Sequence, residues 1–420
     1  MFVRMFVLGI DFQKQIPKSA LPQFPVLYSV PVANLKNLTV LQVVPELETG
    51  GAEQTTIDVA RALVEAGGKA LVASRGGRMT GRLMVDGAQF CAMPVQSKNP
   101  FTIFQNSRRL AALIREHDVD LIHARSRAPA FSALWAARQT GIPFVATYHG
   151  VYKAQNPLKR WYNAVMTRGD LVIANSDYTR DHLFAEHQIS PDKVVTIPRG
   201  VDLDRFHPDA VTPDRIRKLQ DDWGISPEDT RTKILLGGRL TRIKGHLTII
   251  EAAARMMTAG RTDFLILFAG DDQGRSGYRQ ELEDAIAKAN LTDQVRLVGH
   301  CTDMPAAFLV ADLAILPTSV PESFGRAAVE PQAMGRPVIA SAHGGVTETV
   351  LEGKTGWLVP PEDAAAWTKA LSSALDMGPK ALHEMGAASA ARVRQLYSND
   401  AMCAATLAAY DRVLVARKSG

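Results

Sequence analysis

Two carboxylates lie eight positions apart in the segment 317–341, on either side of a turn that contains glycine. Glu322 precedes Gly325, and Glu330 follows it on a predicted helix that leads into an apolar strand. In a fully helical segment, eight steps would separate the carboxylates by roughly 12 Å and rotate them by about 80°. The carboxyls of a glycosidase pair sit roughly 5–9.5 Å apart. This spacing instead suits two groups that hold the two ends of an elongated polar ligand.

A loop with two cations follows the first strand predicted in the second half of the chain. Gly238 and Arg239 begin this loop, and Lys244 and Gly245 end it just before a helix. Arg can bind a phosphate through two parallel hydrogen bonds, and Lys adds a mobile point charge. The glycines do not have the spacing of a Walker loop. Because cations are disfavoured at helix N-termini, the loop predicts an anion clamp rather than two solvated side chains.

Three other strand ends carry residues that suit a sugar or a phosphate. Gly50 and Gly51 open a helix, whose free N–H groups and positive potential favour an anion. His149 can donate to a sugar hydroxyl, and Gly344 and Gly345 offer backbone donors in a similar loop. The alternatives are plain tight turns for the glycine pairs and a structural role for His149.

Short apolar runs alternate with helical patterns from residue 38 onward. Such alternation predicts parallel strands joined by right-handed helical crossovers, in sheets covered on both faces. The fold class is therefore α/β, with ligands expected beyond the carboxyl ends of the strands. Strands are predicted at 38–44, 70–74, 121–124, 144–148, 171–174 and 194–197, and again at 233–236, 264–269, 295–298, 313–316 and 338–340.

The rhythm stops at residues 199–232, which are rich in Asp, Pro and Arg. We therefore predict two doubly wound domains, at 38–198 and 233–395, that face each other across a cleft and are joined by a hinge at 199–232. A last helix within 396–420 is expected to pack back on the first domain. Residues 1–37 are expected to be a poorly ordered extension, because their prolines follow no periodic pattern.

Composition and charge exclude several classes of protein. Hydrophobic residues make up 46% and charged residues 22% of the 420, as in ordinary soluble proteins. The three cysteines have no paired spacing, which argues against zinc or disulfides and favours a reducing, cytoplasmic location. Residues 98–180 hold twelve Lys and Arg against five acids, but no nucleic-acid motif accompanies them. This basic stretch suits an anionic partner, with a solvated positive face as the alternative.

Two Asp-x-Asp triplets could in principle hold a metal on a sugar diphosphate. They are Asp118-Val119-Asp120 and Asp202-Leu203-Asp204. We expect caps and turn residues instead, since Arg239 and Lys244 already balance the diphosphate charge. No metal and no other cofactor is predicted.

The motifs together resemble those of the retaining GT-B glycosyltransferases, a large family that includes bacterial lipopolysaccharide and capsule mannosyl- and glucosyltransferases. The resemblance covers roughly residues 38–415. It rests on five motifs in order: Gly50-Gly51-Ala52-Glu53, Pro198-Arg199-Gly200-Val201-Asp202, Gly238-Arg239-Leu240 with Lys244-Gly245, Glu322-x₇-Glu330, and Gly356-Trp357-Leu358-Val359.

The resemblance implies a transfer of a hexosyl group, with retention, from a nucleotide-diphosphate sugar to a saccharide. Glu330 would bind the ribose, Glu322 the transferred sugar, and Arg239 and Lys244 the diphosphate, while His149 would hydrogen-bond the sugar. His149, Arg239, Lys244 and Glu322 are thus the predicted catalytic residues. The donor would also contact Gly50, Gly51, Gly238, Ser323, Phe324, Gly325, Gly344 and Gly345. Because proline disfavours a helical residue before it, the helix is expected to start or kink at Pro331.

The acceptor is expected on the first domain, which carries the basic stretch. Arg125 and Arg127 follow a predicted strand end and are expected to face the cleft. Lys159-Arg160-Trp161-Tyr162 suits an interfacial surface, so a lipid-linked, anionic saccharide at the inner face of the cytoplasmic membrane is the predicted acceptor. Lipopolysaccharide core or other surface polysaccharide synthesis fits this pattern. A nucleotide-sugar epimerase or hydrolase, or a non-catalytic sugar-nucleotide binding protein, remains an alternative on the same scaffold.

Overall fold

In the computed structural model, which describes residues 35–48, 50–152, 156–274 and 276–418, seven parallel strands form a first sheet. They are β1 (Thr39–Val43), β2 (Lys69–Ser74), β3 (Gln89–Ala92), β4 (Leu121–Ala124), β5 (Phe144–Tyr148), β6 (Leu171–Ala174) and β7 (Val194–Thr196). Their order across the sheet is β3-β2-β1-β4-β5-β6-β7. The order reverses between β1 and β4, which is where open α/β sheets leave a crevice for a ligand.

Six further strands of the described chain form a second parallel sheet. They are β8 (Thr232–Gly237), β9 (Phe264–Ala269), β10 (Val295–Gly299), β11 (Leu313–Leu316), β12 (Val338–Ser341) and β13 (Gly356–Val359). Their order is β10-β9-β8-β11-β12-β13, with the reversal between β8 and β11. All six residues of β9 are buried, as expected for a strand covered on both faces. The predicted α/β class with two parallel sheets is confirmed.

Helices cover both faces of each sheet. They are α1 (Gly51–Glu65), α2 (Thr80–Val85), α3 (Pro100–Glu116), α4 (Arg127–Thr140), α5 (Pro157–Asn163), α6 (Asp177–Glu186), α7 (Pro213–Asp222), α8 (His246–Thr258), α9 (Ser276–Lys288), α10 (Met304–Val310), α11 (Arg326–Ala333), α12 (Val346–Thr349), α13 (Ala364–Leu396) and α14 (Asn399–Lys418). Helix α13 is interrupted at Gly378, whose φ is 72°. Within the described residues, no helix combines the length and the apolar character needed to cross a membrane.

The last helix belongs to the core of the first half. Helix α14 packs on α1, and its buried Met402 and Tyr410 join the core that lies against one face of the first sheet. The Tyr410 hydroxyl lies 2.6 Å from Nδ1 of His123 in β4. The chain therefore crosses between the halves twice.

The two crossings are hydrogen-bonded to each other. The backbone N–H of Val201 donates to Tyr397 at 2.7 Å, and that of Asn399 donates to Val201 at 3.0 Å. A Cβ atom at Gly200 would lie 2.5 Å from Cα of Asn399, so only glycine allows this close approach. The two crossings between the halves thus run side by side.

Some elements differ from the sequence-based expectations. The segment 199–232 contains helix α7, and Arg215 in that helix binds Asp303 in a bidentate ion pair of 2.7 and 2.8 Å. The short strand β3 and the edge strand β13 were not predicted as strands. Of the predicted extension 1–37, only residues 35–37 belong to the described chain, and the rest lies outside it.

Candidate active site

Glu322 follows β11 and is fixed by a neighbouring glycine loop. Its carbonyl accepts the N–H of Gly345 at 2.8 Å, and it forms a single parallel bridge with Gly344. Gly344 has a φ of 69°, and a Cβ there would lie 2.4 Å from the Glu322 carbonyl oxygen. The predicted glycines at 344 and 345 therefore support the backbone of Glu322 directly.

Lys244 binds the Glu322 carboxylate. Its Nζ donates to Oε1 of Glu322 at 2.7 Å, in a pair that is largely shielded from solvent. Lys244 ends a 3₁₀ turn (Arg242–Lys244), and Gly245 follows with a φ of 73°. A Cβ at Gly245 would lie 1.9 Å from the carbonyl oxygen of Pro317. The turn consequently packs on the end of β11 and holds the Lys244 and Glu322 side chains together.

A cavity of about 350 Å³ opens at the carboxyl ends of β8, β9 and β10. Arg239 and Glu330 both line it, as does Gly238, and a Cβ on Gly238 would lie 3.7 Å from Cε of Lys244. The volume is within the range of roughly 300–1,000 Å³ that small-molecule sites have. The structure thus brings Arg239, Lys244, Glu322 and Glu330 to one end of the second sheet.

The walls of this cavity include residues that sequence reasoning missed. The lining combines apolar side chains with polar groups, a combination that suits a flat heterocycle with polar edges. The missed residues are Asp271, Gln273, His300, Cys301, Met304 and Phe308. The rule that ligands lie beyond strand ends, applied to β9 and β10, would have found Asp271 and His300.

Glu330 lies on α11, which begins at Arg326 and not at Pro331. Gly325, with a φ of 87°, caps the helix, so five residues precede the proline that was expected to start or kink it. Nη2 of Arg326 donates to Oε1 of Glu330 at 2.5 Å, a contact between residues one helical turn apart. The aim of Glu330 into the cavity is therefore set by α11 and Arg326.

Gly51, in the first half, lies directly against the guanidinium of Arg199. Gly51 begins α1, and the N–H of Gly50 donates to the carboxylate of Glu53. A Cβ at Gly51 would lie 2.4 Å from Nη1 of Arg199 and 3.4 Å from Nη1 of Arg326. Arg199 therefore lies directly against Gly51, whose predicted contact with the donor stays a prediction. Burial, followed by the like charge of Arg326, lowers the pKa of Arg199 to about 10.

His149 lies at the end of β5, next to this arginine. Nη2 of Arg199 is 3.0 Å from Nδ1 of His149, while Nε2 of His149 is buried and has no hydrogen-bond partner among the described residues. Burial is the largest cause that holds the pKa of His149 well below its usual value, and the charges of Arg199 and Arg125 add to it. His149 is therefore neutral.

The two halves touch each other through Ser323. Its Oγ donates to the carbonyl of His149 at 3.0 Å, and its own carbonyl accepts from Oγ of Ser176 at 2.5 Å. Phe324 does not face the cleft, because its ring is 3% exposed and packs edge-on against Tyr397. The predicted donor contact of Phe324 stays a prediction, and it concerns the backbone rather than the buried ring.

A second contact between the halves is made by Glu348. Its carboxylate accepts the N–H of Tyr178 at 2.7 Å and that of Asp177 at 2.9 Å, at the start of α6. A carboxylate at a helix N-terminus satisfies orphan donors and interacts favourably with the dipole. No local sequence pattern indicates this contact, because it joins residues that lie about 170 positions apart.

Arg125 is buried against the first sheet, so its side chain does not face the cleft as expected. The side chain is 2% exposed, and its Nε donates to Oε1 of Gln42 in β1 at 2.9 Å. Burial lowers its pKa. Arg127 is half-buried: its guanidinium lies 3.8 Å from the ring centre of Tyr152, and Nη1 donates to Asn163 at 2.7 Å.

The two Asp triplets bind backbone groups. Asp120 accepts the N–H of Thr39 at 2.8 Å, and Asp202 accepts those of Asp204 and Arg205 at 3.2 Å each. Within residues 35–48, 50–152, 156–274 and 276–418, no group of three or more His, Cys, Asp or Glu side chains is placed to hold a metal ion. The role of these aspartates is therefore that of turn and strand-end residues.

Two family models match the chain and divide it between them. The model of glycosyltransferase family 4 matches residues 49–205, and that of the glycosyl transferases group 1 matches residues 219–392. The D-inositol 3-phosphate glycosyltransferase of Pseudarthrobacter chlorophenolicus is 29% identical over 290 residues, which are 66% of this chain and 66% of that protein. The chain thus spans slightly less than two thirds of the length of this relative.

Solved structures give the same assignment. The crystal structure of a glycosyltransferase from Rickettsia africae is 33% identical, with a TM-score of 0.83 over 90% of this chain and 99% of that one. HepE from Anabaena in complex with UDP-glucose has a TM-score of 0.73 and 20% identity, over 91% and 100% of the two chains. The latter likeness concerns the fold. The chain belongs to the group 1 glycosyltransferases and has their two-domain GT-B fold.

Proposed function

We propose that the protein transfers a hexosyl group from a nucleotide-diphosphate sugar to a saccharide acceptor, with retention of the anomeric configuration. The observation that carries the proposal is the cavity shared by Arg239 and Glu330, with the Lys244–Glu322 pair beside it. A sugar nucleotide consists of a base, a ribose, a diphosphate and a sugar, in that order. The apolar cavity, one carboxylate, two cations and a second carboxylate complement these groups in turn.

Each part of the donor has a complementary group in the second half. The base would enter the cavity of about 350 Å³, and Glu330 would accept hydrogen bonds from the ribose hydroxyls. Arg239 and Lys244 would bind the diphosphate, and Glu322 the hydroxyls of the sugar. The structural neighbour HepE, which is described with UDP-glucose, supports a donor of this class.

The chemistry needs charge stabilisation more than a nucleophile. The bond between the anomeric carbon and the diphosphate oxygen breaks, and the acceptor oxygen attacks the anomeric carbon on the same face. The proton of the acceptor hydroxyl passes to the departing phosphate. Fixed donors on Arg239 and Lys244 stabilise the negative charge where it develops, and no metal is required in this scheme.

A thermal-shift screen of sugar nucleotides tests the donor site. We expect one class of donor to raise the melting temperature of the protein, since a ligand at a hundredfold excess over Kd stabilises the fold by about 2.7 kcal/mol. Glu330→Gln is expected to reduce this shift. Glu251→Gln, at an exposed position of α8, serves as the matched control and is expected to keep it.

Turnover assays with purified donor then decide between the candidate activities. Product formation only with a saccharide acceptor, and with the donor's anomeric configuration retained by NMR, would support the proposal. Turnover of donor alone would indicate an epimerase or hydrolase. Binding without turnover across an acceptor panel would indicate a non-catalytic binding protein, and an absence of any stabilising sugar nucleotide would contradict all three.

We propose further that the acceptor is an anionic, lipid-linked saccharide of lipopolysaccharide core or other surface polysaccharide synthesis, met at the inner face of the cytoplasmic membrane. On α5, Leu158 is 75% and Trp161 52% exposed. The guanidinium of Arg168 lies 5.2 Å from the Trp161 ring centre. Exposed apolar side chains beside cations suit the surface of an anionic membrane. The names of the relatives point to a second anionic acceptor, inositol phosphate.

Sedimentation with lipid vesicles tests the membrane contact. We expect binding to vesicles that contain phosphatidylglycerol and weaker binding to pure phosphatidylcholine, with a loss of binding in Leu158→Ser/Trp161→Ser. Met377→Ser, an exposed apolar residue of the second half, is the control. Equal binding by the double variant and by the parent protein would contradict this part. An acceptor panel with both inositol 3-phosphate and anionic saccharides then identifies the acceptor class.

A further inference from the structure

The contact between Arg199 and His149 determines where the imidazole proton sits. The two groups are 3.0 Å apart, through Nη2 of Arg199 and Nδ1 of His149. A guanidinium carries only N–H donors and no acceptor. Nδ1 of His149 must therefore accept this hydrogen bond, and a neutral imidazole then carries its single proton on Nε2.

The surroundings of His149 exclude the doubly protonated ring. A second N–H at Nδ1 would point at the N–H of Arg199. The charges of Arg199 and Arg125, both positive, disfavour a charged imidazole at His149. A charged His149 would in turn disfavour a charge on the buried ring of His123. Burial disfavours the charged form as well, so the neutral tautomer with Nε2–H remains.

The proton on Nε2 has no acceptor among the residues that the structure describes. Nε2 is buried and lacks a hydrogen-bond partner among the described residues, which is uncommon for a buried polar atom. The rest of His149 is well held, because its carbonyl accepts from Oγ of Ser323 at 3.0 Å and from Nδ2 of Asn175 at 3.2 Å. The Nε2–H donor therefore stays unsatisfied unless a ligand supplies an acceptor.

Gly51 makes room for this arrangement. A Cβ at position 51 would lie 2.4 Å from Nη1 of Arg199, so any larger residue displaces the guanidinium. Arg199 belongs to the connection between the halves, one residue before Gly200, and so reaches His149 from a different element than β5.

We propose that Arg199 is a positioning residue that holds His149 as the Nε2–H tautomer, so that His149 offers one hydrogen-bond donor to a hydroxyl oxygen of the transferred sugar. The sugar as the recipient rests on the proposed function. The tautomer and its cause are properties of the protein alone and can be tested without substrate.

Nitrogen NMR of the full chain labelled at histidine tests the tautomer. The His149 signals are assigned by their loss in His149→Asn. At neutral pH we expect the pair of signals typical of a protonated Nε2 and an unprotonated Nδ1. Arg199→Lys, which keeps a donor-only cation, is expected to preserve the pattern, and Arg199→Met to convert it to a mixture or to the Nδ1–H form. Arg115→Met, at an exposed position of α3, is the control.

Several results would overturn the proposal. A wild-type His149 with a proton on Nδ1, or with both nitrogens protonated, would do so, as would an unchanged tautomer in Arg199→Met. If Arg199→Met does not fold, the wild-type spectrum and Gly51→Ala decide, because displacement of the guanidinium should give the same conversion. Kinetics with the donor should show about tenfold lower kcat in Arg199→Met, because roughly one hydrogen bond is lost, and rescue of kcat in Arg199→Lys. An absence of transfer activity would remove the recipient and leave the tautomer result standing.

Discussion

Two arginines that follow strand ends, Arg125 in the first half and Arg239 in the second, have opposite surroundings. Arg125 points into the sheet region, where Gln42 and Thr147 accept its hydrogen bonds. Arg239 is exposed and lines the cavity of the second half. The same kind of residue at the same kind of position therefore supports the fold in one half and is available to a ligand in the other.

The difference follows from what the neighbouring strands contain. In the first half, the strands contain the polar side chains of Gln42, His123 and Thr147. Gln42 and Thr147 accept hydrogen bonds from the buried Arg125, and His123 is hydrogen-bonded to Thr147. In the second half, the arginine is preceded by Gly237 and Gly238, which carry no polar side chain. The ends of the first sheet are thus filled by a polar network, whereas those of the second stay open.

The largest effect is expected from a substitution that disrupts the charge arrangement of the second half. Lys244→Ala removes the cation that binds Glu322 and leaves the departing diphosphate with one fixed donor fewer. We expect kcat to fall by roughly 10²–10³-fold, measured as initial rates at saturating donor. Lys369→Ala, at an exposed position of α13, should keep the parent rate. A kcat within threefold of the parent would contradict the assignment of Lys244.

A pH series compares buried histidines in the two halves. Burial lowers the pKa of His246 in α8 from 6.5 to about 4. The unfolded state then binds more protons than the folded state between these values, so stability falls as the pH drops from 6.5 towards 4. The full difference corresponds to about 3 kcal/mol. His123 and His149 in the first half have pKa values shifted in the same direction.

Melting temperatures from pH 7 to 4 measure this effect. The melting temperature of His246→Phe should decline less steeply with falling pH than that of the parent protein. Part of the decline should remain, because His123 and His149 also contribute to it. His383→Phe, at an exposed position, should follow the parent. Parallel curves for the parent and His246→Phe would contradict the assignment.

A pair of matched variants sharpens the contrast between the two arginines. Arg125→Met leaves Gln42 Oε1 without its donors, which should lower the free energy of unfolding by about 1–3 kcal/mol. Arg239→Met should change it by less than about 0.5 kcal/mol and weaken the binding of a nucleoside diphosphate. Thermal unfolding and calorimetric titration measure the two quantities. Equal destabilisation by the two variants would contradict the comparison.

The smallest effect is expected from the loss of the contact that Glu348 makes between the halves. Glu348→Ala removes the carboxylate that accepts the N–H groups of Asp177 and Tyr178. The loss of a helix N-terminal acceptor typically costs about 1 kcal/mol. We expect faster amide hydrogen exchange at these two residues, with little change in the sheets. Unchanged exchange at 177 and 178 would show that the contact does not hold the halves together.

The strands were the most predictable part of the molecule. The predicted bounds at 121–124, 144–148, 171–174, 264–269 and 313–316 agree with the structure residue for residue, because buried parallel strands are continuous apolar runs with sharp ends. The strand β3 was missed because it is short and half-exposed at the sheet edge. Helix α7 was missed because its residues are almost all polar, although Thr212 and Pro213 are typical of a helix start.

The site was predictable where it depends on local sequence. The motifs around Lys244, Glu322 and Glu330 indicated residues that the fold does bring together. Arg125 was misplaced, because the direction of a side chain at a strand end depends on partners far along the chain. Gln42, His123 and Thr147, which are polar residues inside apolar strands, were the available signal. The roles of Arg199 and Glu348 depend on contacts between the two halves, which no local pattern encodes.

The position of helix α14 has a consequence for synthesis on the ribosome. The strands β1 to β7 leave the ribosome first, yet one face of their sheet is covered by residues near the end of the chain, including Tyr410 and Val413. The first half therefore emerges before the second but is completed after it. Until α14 has emerged, the uncovered apolar face is open to chaperones, and a chain truncated before Asn399 would have a first domain without that cover.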